Sequence, residues 1–326
     1  MNRTTQVLAG ALAVQVALGA MTWSGRSTPE PTALHPLVTF DPATVTAVSI
    51  TGRTTPGAPA TPVQLEKDGD TWVIASSHRY PADPAKVTDL LDKLDDLQVR
   101  DAIATTTASF KELEVADDTF SRSVTITSAA GPTTLLLGGA GGTSMHVRLP
   151  GTNEAFSVRG TSAFAIADSD RRFWKPEIVA VQPDDLATWT ISNPQGTRTL
   201  VRSAGAWSMP DLPPGHTVVS QEVDALARML LTVRINEVVG QGDDPAWGLD
   251  GSTHVTWTRT VDGTTVTEGY VVGALVDNKR AVRVDGSPWV VRVAASSISR
   301  AVETSFDFVD DGQPDFMGQI GGGPPR

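Results

Sequence analysis

A short pattern occurs twice in the chain, 135 positions apart. The first copy is Leu65-Glu66-Lys67 followed after four residues by Trp72, and the second is Leu200-Val201-Arg202 followed after four residues by Trp207. Self-similarity at a fixed spacing is typical of duplicated structural units. The pattern therefore predicts that Trp72 and Trp207 anchor equivalent parts of two hydrophobic cores.

Downstream of each tryptophan, apolar residues recur three and four positions apart, which predicts an amphipathic helix. In the first copy, Asp83 suits the N-cap and Pro84 suits the first helical position. In the second copy, Ser220 is the predicted N-cap. The positions predicted to face the core are Val87, Leu90, Leu91, Leu94 and Leu97 in the first copy and Val223, Leu226, Leu230 and Val233 in the second.

Beyond each helix the apolar period shortens to two, which predicts strands. Strand pairs are predicted around the turn-forming residues 129–132 and around Asp262-Gly263, and the second of these is a strong hairpin signal. Each copy is predicted to close with a short helix, at residues 161–167 and at residues 296–303.

We therefore predict an α+β fold of two tandem repeats, at residues 38–175 and 176–311. Each repeat would be an antiparallel sheet packed by one long helix and a short closing helix. The alternative is one continuous sheet shared by both repeats. A unit of about 135 residues buries most of the surface that its unfolded chain exposes, so no disulfide or metal is needed to explain its stability.

Residues 1–28 differ in character from the rest of the chain, because the run from residue 7 to residue 23 contains no charged side chain. As a helix this run would be about 25 Å long, slightly shorter than a ~30 Å hydrocarbon core but within the range of a single span. We predict an N-terminal transmembrane helix, a tether at residues 29–37 and a disordered tail at residues 312–326.

A cleavable signal peptide with a site near Ala17-Leu18-Gly19 is the main alternative to the anchor, and a buried helix is a further one. Arg3 favours a cytoplasmic N-terminus. An uncleaved anchor would leave a single-pass protein of the inner membrane with its bulk on the periplasmic side, whereas cleavage would release a secreted protein.

The formal net charge of −11 and the absence of cysteine exclude several classes of function. An acidic chain repels phosphate backbones, which argues against nucleic-acid binding. Without cysteine there is no disulfide framework, no thiolate metal site and no lipid-modified cysteine.

The sequence contains no recognisable catalytic or metal-binding pattern. The five histidines form no zinc-ligand spacing, and no serine lies in a nucleophile elbow. The glycine run at residues 138–144 lacks the following lysine and helix of a phosphate loop, so it is interpreted as a strand connection. We therefore predict no catalytic residue, no metal and no cofactor.

Two aromatic positions are candidates for contact with a partner. Trp174 lies at the boundary between the repeats, next to Arg171 and Arg172. It could wedge the two repeats together or present an aromatic and basic patch to a partner. Trp247, after an acidic stretch in the second repeat, is the other candidate. Partly buried aromatics at such places would indicate a binding face.

The order of these motifs resembles the bacterial family called domain of unknown function 4340. An apolar span precedes the strand pair with Trp72, then Tyr80-Pro81-Ala82-Asp83 precedes a leucine-rich helix, and Leu135–Gly138 precedes Val147-Arg148 and Phe156-Ser157-Val158. The resemblance covers about residues 38–310 in two copies. The second copy departs from the pattern, because Leu212-Pro213-Pro214-Gly215 replaces the segment that contains Tyr80.

The resemblance implies a membrane-anchored envelope protein associated with ABC-transporter systems similar to those linked with gliding motility. We therefore expect a non-enzymatic, membrane-tethered accessory or scaffold protein that contacts the membrane through residues 7–23 and contacts transporter subunits. A free periplasmic or secreted module that binds peptide or glycan is the alternative. A hydrolase with a site between the repeats is a weaker one, and it would be favoured if His146 or His254 lay beside a carboxylate in a cleft.

Overall fold

A computed structural model describes residues 33–53, 61–212, 214–303 and 309–310. The predicted membrane anchor at residues 7–23, the start of the tether and the predicted disordered tail lie outside these residues. Within the described ranges, no helix has the length and apolar character that a membrane crossing needs. The described chain is mostly antiparallel sheet with four α-helices, so its class is α+β or mainly β.

The helices are α1 (Pro84–Asp95), α2 (Thr107–Glu112), α3 (Ser220–Leu230) and α4 (Ala295–Val302). Short 3-10 helices lie at Pro42–Thr44, Ala163–Ala165, Asp170–Arg172, Pro183–Asp185 and Pro245–Trp247. The strands in chain order are β1 (His35–Pro36), β2 (Ala47–Thr51), β3 (Val63–Asp68), β4 (Thr71–Ile74), β5 (Tyr80–Pro81), β6 (Gln98–Val99), β7 (Val115–Ala116), β8 (Thr119–Phe120), β9 (Arg122–Ser128), β10 (Gly131–Gly139), β11 (Ser144–Arg148), β12 (Ala155–Arg159), β13 (Glu177–Ala180), β14 (Leu186–Asn193), β15 (Gly196–Ser203), β16 (Ala206–Ser208), β17 (Thr217–Val218), β18 (Thr232–Arg234), β19 (Glu237–Gln241), β20 (Thr253–Val261), β21 (Thr264–Val276), β22 (Lys279–Val284), β23 (Trp289–Ala294) and β24 (Val309–Asp310).

Two separate sheets of eight strands form the framework of the molecule. The first has the order β12–β11–β10–β9–β2–β3–β4–β5, and the second has the order β19–β23–β22–β21–β20–β14–β15–β16. Because no strand in the described residues belongs to both sheets, the alternative of one continuous sheet is wrong. Seven strands of each sheet follow the same chain order, from β12 to β4 in the first and from β23 to β16 in the second.

The repeated sequence pattern encodes a tight hairpin in each sheet. Lys67 lies opposite Trp72 across the β3–β4 turn, and Arg202 lies opposite Trp207 across the β15–β16 turn. The leucine that opens each pattern is fully buried, at Leu65 and Leu200. Trp207 is 4% exposed, while Trp72 is partly buried at the edge of the core. Both tryptophans therefore pack against the main core.

The two long helices form where the apolar periodicity predicts them, but their first turns differ. Asp83 caps α1, accepting a hydrogen bond from the Ala85 N–H at 3.1 Å. Ser220 is the first residue of α3 rather than its cap. Its hydroxyl oxygen instead accepts the N–H of Trp207 at 3.0 Å, so the predicted cap is wrong because the serine is engaged by a neighbouring strand.

The closing segments of the two units also differ. The second is the helix α4, as predicted. The first contains only the 3-10 turn Ala163–Ala165, so the helix predicted at residues 161–167 is wrong. Its buried residues, Ala163 and Ile166, are three positions apart, which matches the three residues per turn of a 3-10 helix.

The main hydrophobic core is continuous between the two sheets and includes the buried faces of α1 and α3. In the second unit, two buried polar side chains hold the helices to the sheet. The Tyr270 hydroxyl donates to the Leu230 carbonyl at 2.8 Å, and the Asn193 amide donates to the Ala301 carbonyl at 3.0 Å. Both groups are buried, so these hydrogen bonds offset their loss of contact with water.

A second, smaller core lies on the other face of the first sheet. Phe110 of α2, together with Val115 and Ala116 of β7, covers Leu136 and Ala155. The Arg148 guanidinium, 3% exposed, donates to the Val115 carbonyl at 2.7 Å and lies over the Phe110 ring. The sequence pattern does not predict α2, because six residues are too few to show a helical period.

Candidate functional site

The segment between the two units, residues 160–176, is the connector. It follows β12, contains the 3-10 helices Ala163–Ala165 and Asp170–Arg172, and ends immediately before β13. All three residues of the predicted Trp174 patch belong to it. The contacts of the connector therefore decide whether Trp174, Arg171 and Arg172 form a site.

Hydrogen bonds fasten the connector to both units. The Ser76 hydroxyl donates to the Asp170 carboxylate at 2.6 Å, and the Asp83 N–H donates to the Phe173 carbonyl at 2.6 Å. On the other side, the Ile235 N–H donates to the Pro176 carbonyl at 2.9 Å. Because its two ends are bonded to different units, the connector holds the side chains that it carries at fixed positions between them.

Three aromatic rings, from Tyr80, Trp174 and Trp289, form an aromatic trio between the units. Tyr80 lies on β5 at the edge of the first sheet, and Trp289 lies on β23 of the second. Tyr80 meets Trp174 edge-on at 6.4 Å between ring centroids, and it meets Trp289 edge-on at 5.7 Å. Burial raises the pKa of the Tyr80 phenol, so this hydroxyl stays neutral.

The turn that precedes Tyr80 also touches the second unit. His78 and Arg79 have positive φ values of 54° and 58°, a backbone conformation that costs energy for residues other than glycine. The Gln241 amide donates to the His78 carbonyl at 3.3 Å. The Arg79 guanidinium forms ion pairs with Glu66 and Asp68, each at 2.9 Å. Contacts with both units therefore hold the strained turn in place, and the turn positions Tyr80 against Trp289.

A cavity of about 260 Å³ lies between α1 and the connector, and we call it the basic cavity. The side chains that define its chemistry are Lys86, Lys93, Arg171, Arg172, Leu90 and Trp174. Leu90 and Trp174 are almost fully buried, at 4% and 6% exposed, and belong to the main core. The four cations come from two separate walls, because the lysines belong to α1 and the arginines to the connector.

Most of the positive charge at the basic cavity is not neutralised by the protein. Lys93 pairs with Asp89 at 2.6 Å. The side chains of Lys86, Arg171 and Arg172 are exposed and make no hydrogen bond or ion pair with any other described residue. In a chain with a net charge of −11, three unpaired cations around one cavity create a local positive potential that attracts anions.

The structure brings together three of the four predicted contact residues and leaves the fourth apart. Trp174, Arg171 and Arg172 all line the basic cavity, and the burial of Trp174 fits a wedge between units better than display to a partner. Trp247 is half-buried in the 3-10 helix Pro245–Trp247, where its ring lies over Gly240 of β19. The repeat anchors Trp72 and Trp207 lie in their own hairpins and belong to the framework.

Sequence reasoning missed Lys86 and Lys93 as partners of the two arginines. The sequence does contain a signal for these two lysines, because α1 carries both of them on its polar face among several aspartates. That pattern is also typical of any solvated helix face, so only the position of the connector distinguishes these lysines.

One histidine lies beside a carboxylate, the observation that would favour a hydrolase. His254 Nε2 is 3.0 Å from Asp285 Oδ2, and both side chains are about one-third exposed or more. However, His254 alternates along β20 with the buried Val255, so the pair lies on the open outer face of the second sheet and not in a cleft between units. His146 contacts the Leu113 carbonyl at 3.3 Å instead of a carboxylate.

No cluster of three or more His, Asp or Glu side chains suited to a metal ion occurs in the residues that the structure describes. Two of the carboxylates with lowered pKa values, Glu268 and Glu237, lie on strands and form ion pairs. The pKa of Glu268 is lowered by its hydrogen bonds with Arg259, at 2.6 Å, and with the Trp257 indole, at 2.9 Å. The pKa of Glu237 is lowered by its hydrogen bond with Lys279.

These ion pairs predict a loss of stability in acid. Because the pKa of Glu268 is lower in the folded than in the unfolded state, its contribution is present above the ordinary glutamate pKa and is lost as the pH falls through the folded value. We expect Glu268→Gln to lower the Tm by about 2 °C at pH 7 and by much less at pH 3, measured by thermal unfolding.

The matched control is Glu154→Gln, an exposed glutamate in the loop before β12. Its Tm should equal that of the wild type at both pH values. An equal loss of Tm for Glu268→Gln at pH 7 and pH 3 would show that the carboxylate charge is not what stabilises this part of the sheet.

Comparison with known proteins identifies one family. The model of the family described as Domain of unknown function (DUF4340) matches residues 72–252, more than half of the chain. No curated protein and no solved structure matches the chain. The match is one continuous range that begins at Trp72 in the first sheet, includes the connector, and ends in the second unit. The chain therefore belongs to the family Domain of unknown function (DUF4340), as the order of its motifs indicates.

Proposed function

We propose that this protein is a non-enzymatic, membrane-tethered scaffold on the periplasmic side of the inner membrane, and that it serves an ABC-transporter-type envelope system. The basic cavity is the observation that carries the proposal. It is a charged surface between α1 of the first unit and the connector, and the connector is hydrogen-bonded to both units. Such a surface suits a protein that holds a partner.

The junction supports a holding role because several kinds of contact join the two units. These contacts are the aromatic trio, the hydrogen bonds of the connector and the continuous core. A surface whose residues are ordered before a partner binds loses less conformational entropy on binding.

We further propose that the two units are tandem copies of one ancestral unit. The shared order of seven strands supports this, as do the paired hairpins of Trp72 and Trp207. Arg148 and Arg283, again 135 positions apart, each donate to a backbone carbonyl, that of Val115 in β7 and that of Gly242 directly after β19. Duplication would give the scaffold two similar surfaces on one chain.

Co-purification tests the scaffold role. The intact chain, with a C-terminal tag, is expressed in its native host and recovered from membranes in mild detergent. We expect transporter subunits to be recovered in stoichiometric amounts. Recovery of this protein alone, with a mature N-terminus near residue 20, would contradict the proposal and would support a free periplasmic or secreted binding module.

Removal of residues 1–28 tests the tether separately. The truncated protein should leave the membrane fraction and remain folded, because the described core begins after this segment. A truncated protein that still sediments with membranes would show that another part of the molecule holds it there.

A further inference from the structure

We propose that the basic cavity binds an acidic peptide segment of a partner protein, one that carries carboxylates on both sides of an apolar side chain. The inference rests on the proposed scaffold function and names the chemistry that the scaffold recognises. Three observations carry it: the cations without a carboxylate partner among the described residues, their placement on two walls, and the apolar residues Leu90 and Trp174 in the same lining.

Several arginines elsewhere on the framework are neutralised by carboxylates. Arg79, Arg122, Arg148 and Arg259 each pair with a carboxylate, at 2.6 to 3.0 Å. Lys86, Arg171 and Arg172, by contrast, have no carboxylate partner within the described ranges. Arg171 and Arg172 are fixed next to one another because Asp170, Phe173 and Pro176 of the connector are hydrogen-bonded to the units. An incoming carboxylate would therefore meet guanidinium groups whose backbone is already ordered.

The shape of the cavity favours a peptide over a small inorganic anion. Lys86 and Lys93 line the wall formed by α1, while Arg171 and Arg172 line the connector wall. Apolar residues of both walls, Leu90 on α1 and Trp174 on the connector, also line the cavity, with a small part of each exposed. A compact anion would engage one wall. A segment with acidic residues flanking a leucine would engage both walls and place its apolar side chain beside Leu90 and Trp174.

The cavity is of a size that accepts side chains and not a whole domain. A volume of about 260 Å³ holds one or two side chains, while the flanking carboxylates stay at the solvent-exposed rim. Charges at a rim act mainly on association and are screened by salt. Binding of the acidic segment should therefore weaken as ionic strength rises.

The test uses the full chain in mild detergent and a fluorescent synthetic peptide of alternating glutamate and leucine, with binding followed by polarisation. The double variant Arg171→Glu and Arg172→Glu should bind the peptide at least about tenfold more weakly, because two attractive pairs become repulsive. Lys86→Glu, on the opposite wall, should weaken binding in the same direction. Both arginines and the lysine are exposed, and an unchanged Tm would show that the variants fold.

Arg228→Glu is the matched control, since Arg228 is an exposed arginine on α3 outside the cavity. It should leave the affinity within about twofold of the wild type. Equal binding by the wild type and the double variant would overturn the proposal. It would also be overturned by equal binding of a peptide with glutamine in place of glutamate, or by inorganic phosphate that binds as tightly as the peptide.

Failure of this inference is distinguishable from failure of the scaffold role. If transporter subunits co-purify with the intact chain but the acidic peptide does not bind, the scaffold role stands and the cavity is not its recognition site. If the peptide binds with the expected dependence on Arg171 and Arg172 but no transporter subunit co-purifies, the recognition chemistry stands and the transporter assignment is wrong.

Discussion

Replacement of Gly138 or of Gly273 by alanine is expected to lower the free energy of unfolding by about 3 kcal/mol. A Cβ at Gly138 would overlap the Leu113 carbonyl oxygen, and a Cβ at Gly273 would overlap the Trp247 carbonyl oxygen. Neither glycine has a positive φ, so the expected cost is steric and not conformational. The obstacle in each case is backbone, which cannot move aside as a flexible side chain can.

Gly139→Ala is the control for these substitutions, because Gly139 is the neighbouring residue of the same strand. A Cβ there would lie 3.7 Å from the Ser121 hydroxyl, an ordinary contact distance. Denaturant unfolding of the three variants should separate Gly139→Ala, with a small change, from the other two. A loss below about 1 kcal/mol at both Gly138 and Gly273 would contradict the close packing of loops on the two sheets.

Trp174→Ala should also have a large effect, about 4 kcal/mol, because a buried tryptophan is replaced by a methyl group. The substitution should mainly weaken the contact between the two units, because Trp174 contacts Tyr80 and Tyr80 contacts Trp289 of the second unit. We expect the single calorimetric unfolding transition of the wild type to separate into two in this variant, one for each unit.

Trp247→Ala provides the comparison, because Trp247 is half-buried and lies outside the aromatic trio. It should destabilise the second unit and retain a single transition. A single transition for Trp174→Ala, with a loss no larger than that of Trp247→Ala, would show that Trp174 does not couple the units.

Local features of the fold could be predicted from the sequence because they depend on neighbouring residues. The period of Val87, Leu90, Leu91 and Leu94 indicates α1, and Asp262-Gly263 indicates the β20–β21 turn, where both residues have positive φ. The prediction for Ser220 is wrong because of a contact that is not local. Ser220 fits the rule for an N-cap, but its hydroxyl oxygen accepts the hydrogen bond of the Trp207 N–H. That N–H belongs to a residue 13 positions earlier in the chain, so no local rule includes it.

The candidate site could be predicted only in part. Trp174, Arg171 and Arg172 are adjacent in the sequence, so their position between the units was visible. The lysines on the opposite wall could not be predicted, because they line the cavity only when α1 lies against the connector. The contact of Tyr80 with Trp289 joins residues more than 200 positions apart, and pairings at that separation depend on how the two sheets pack.

A photo-crosslinking amino acid placed at Ala165 of the intact chain, in its native host, tests the central claim most directly. Ala165 is exposed and lines the basic cavity, so a bound partner would lie within reach while Lys86, Arg171 and Arg172 stay in place. We predict an adduct with an acidic segment of an ABC-transporter subunit, and no such adduct from the same crosslinker at Arg228 on α3. Equal crosslinking from both positions, or none from Ala165 in cells where the transporter is assembled, would contradict the proposal.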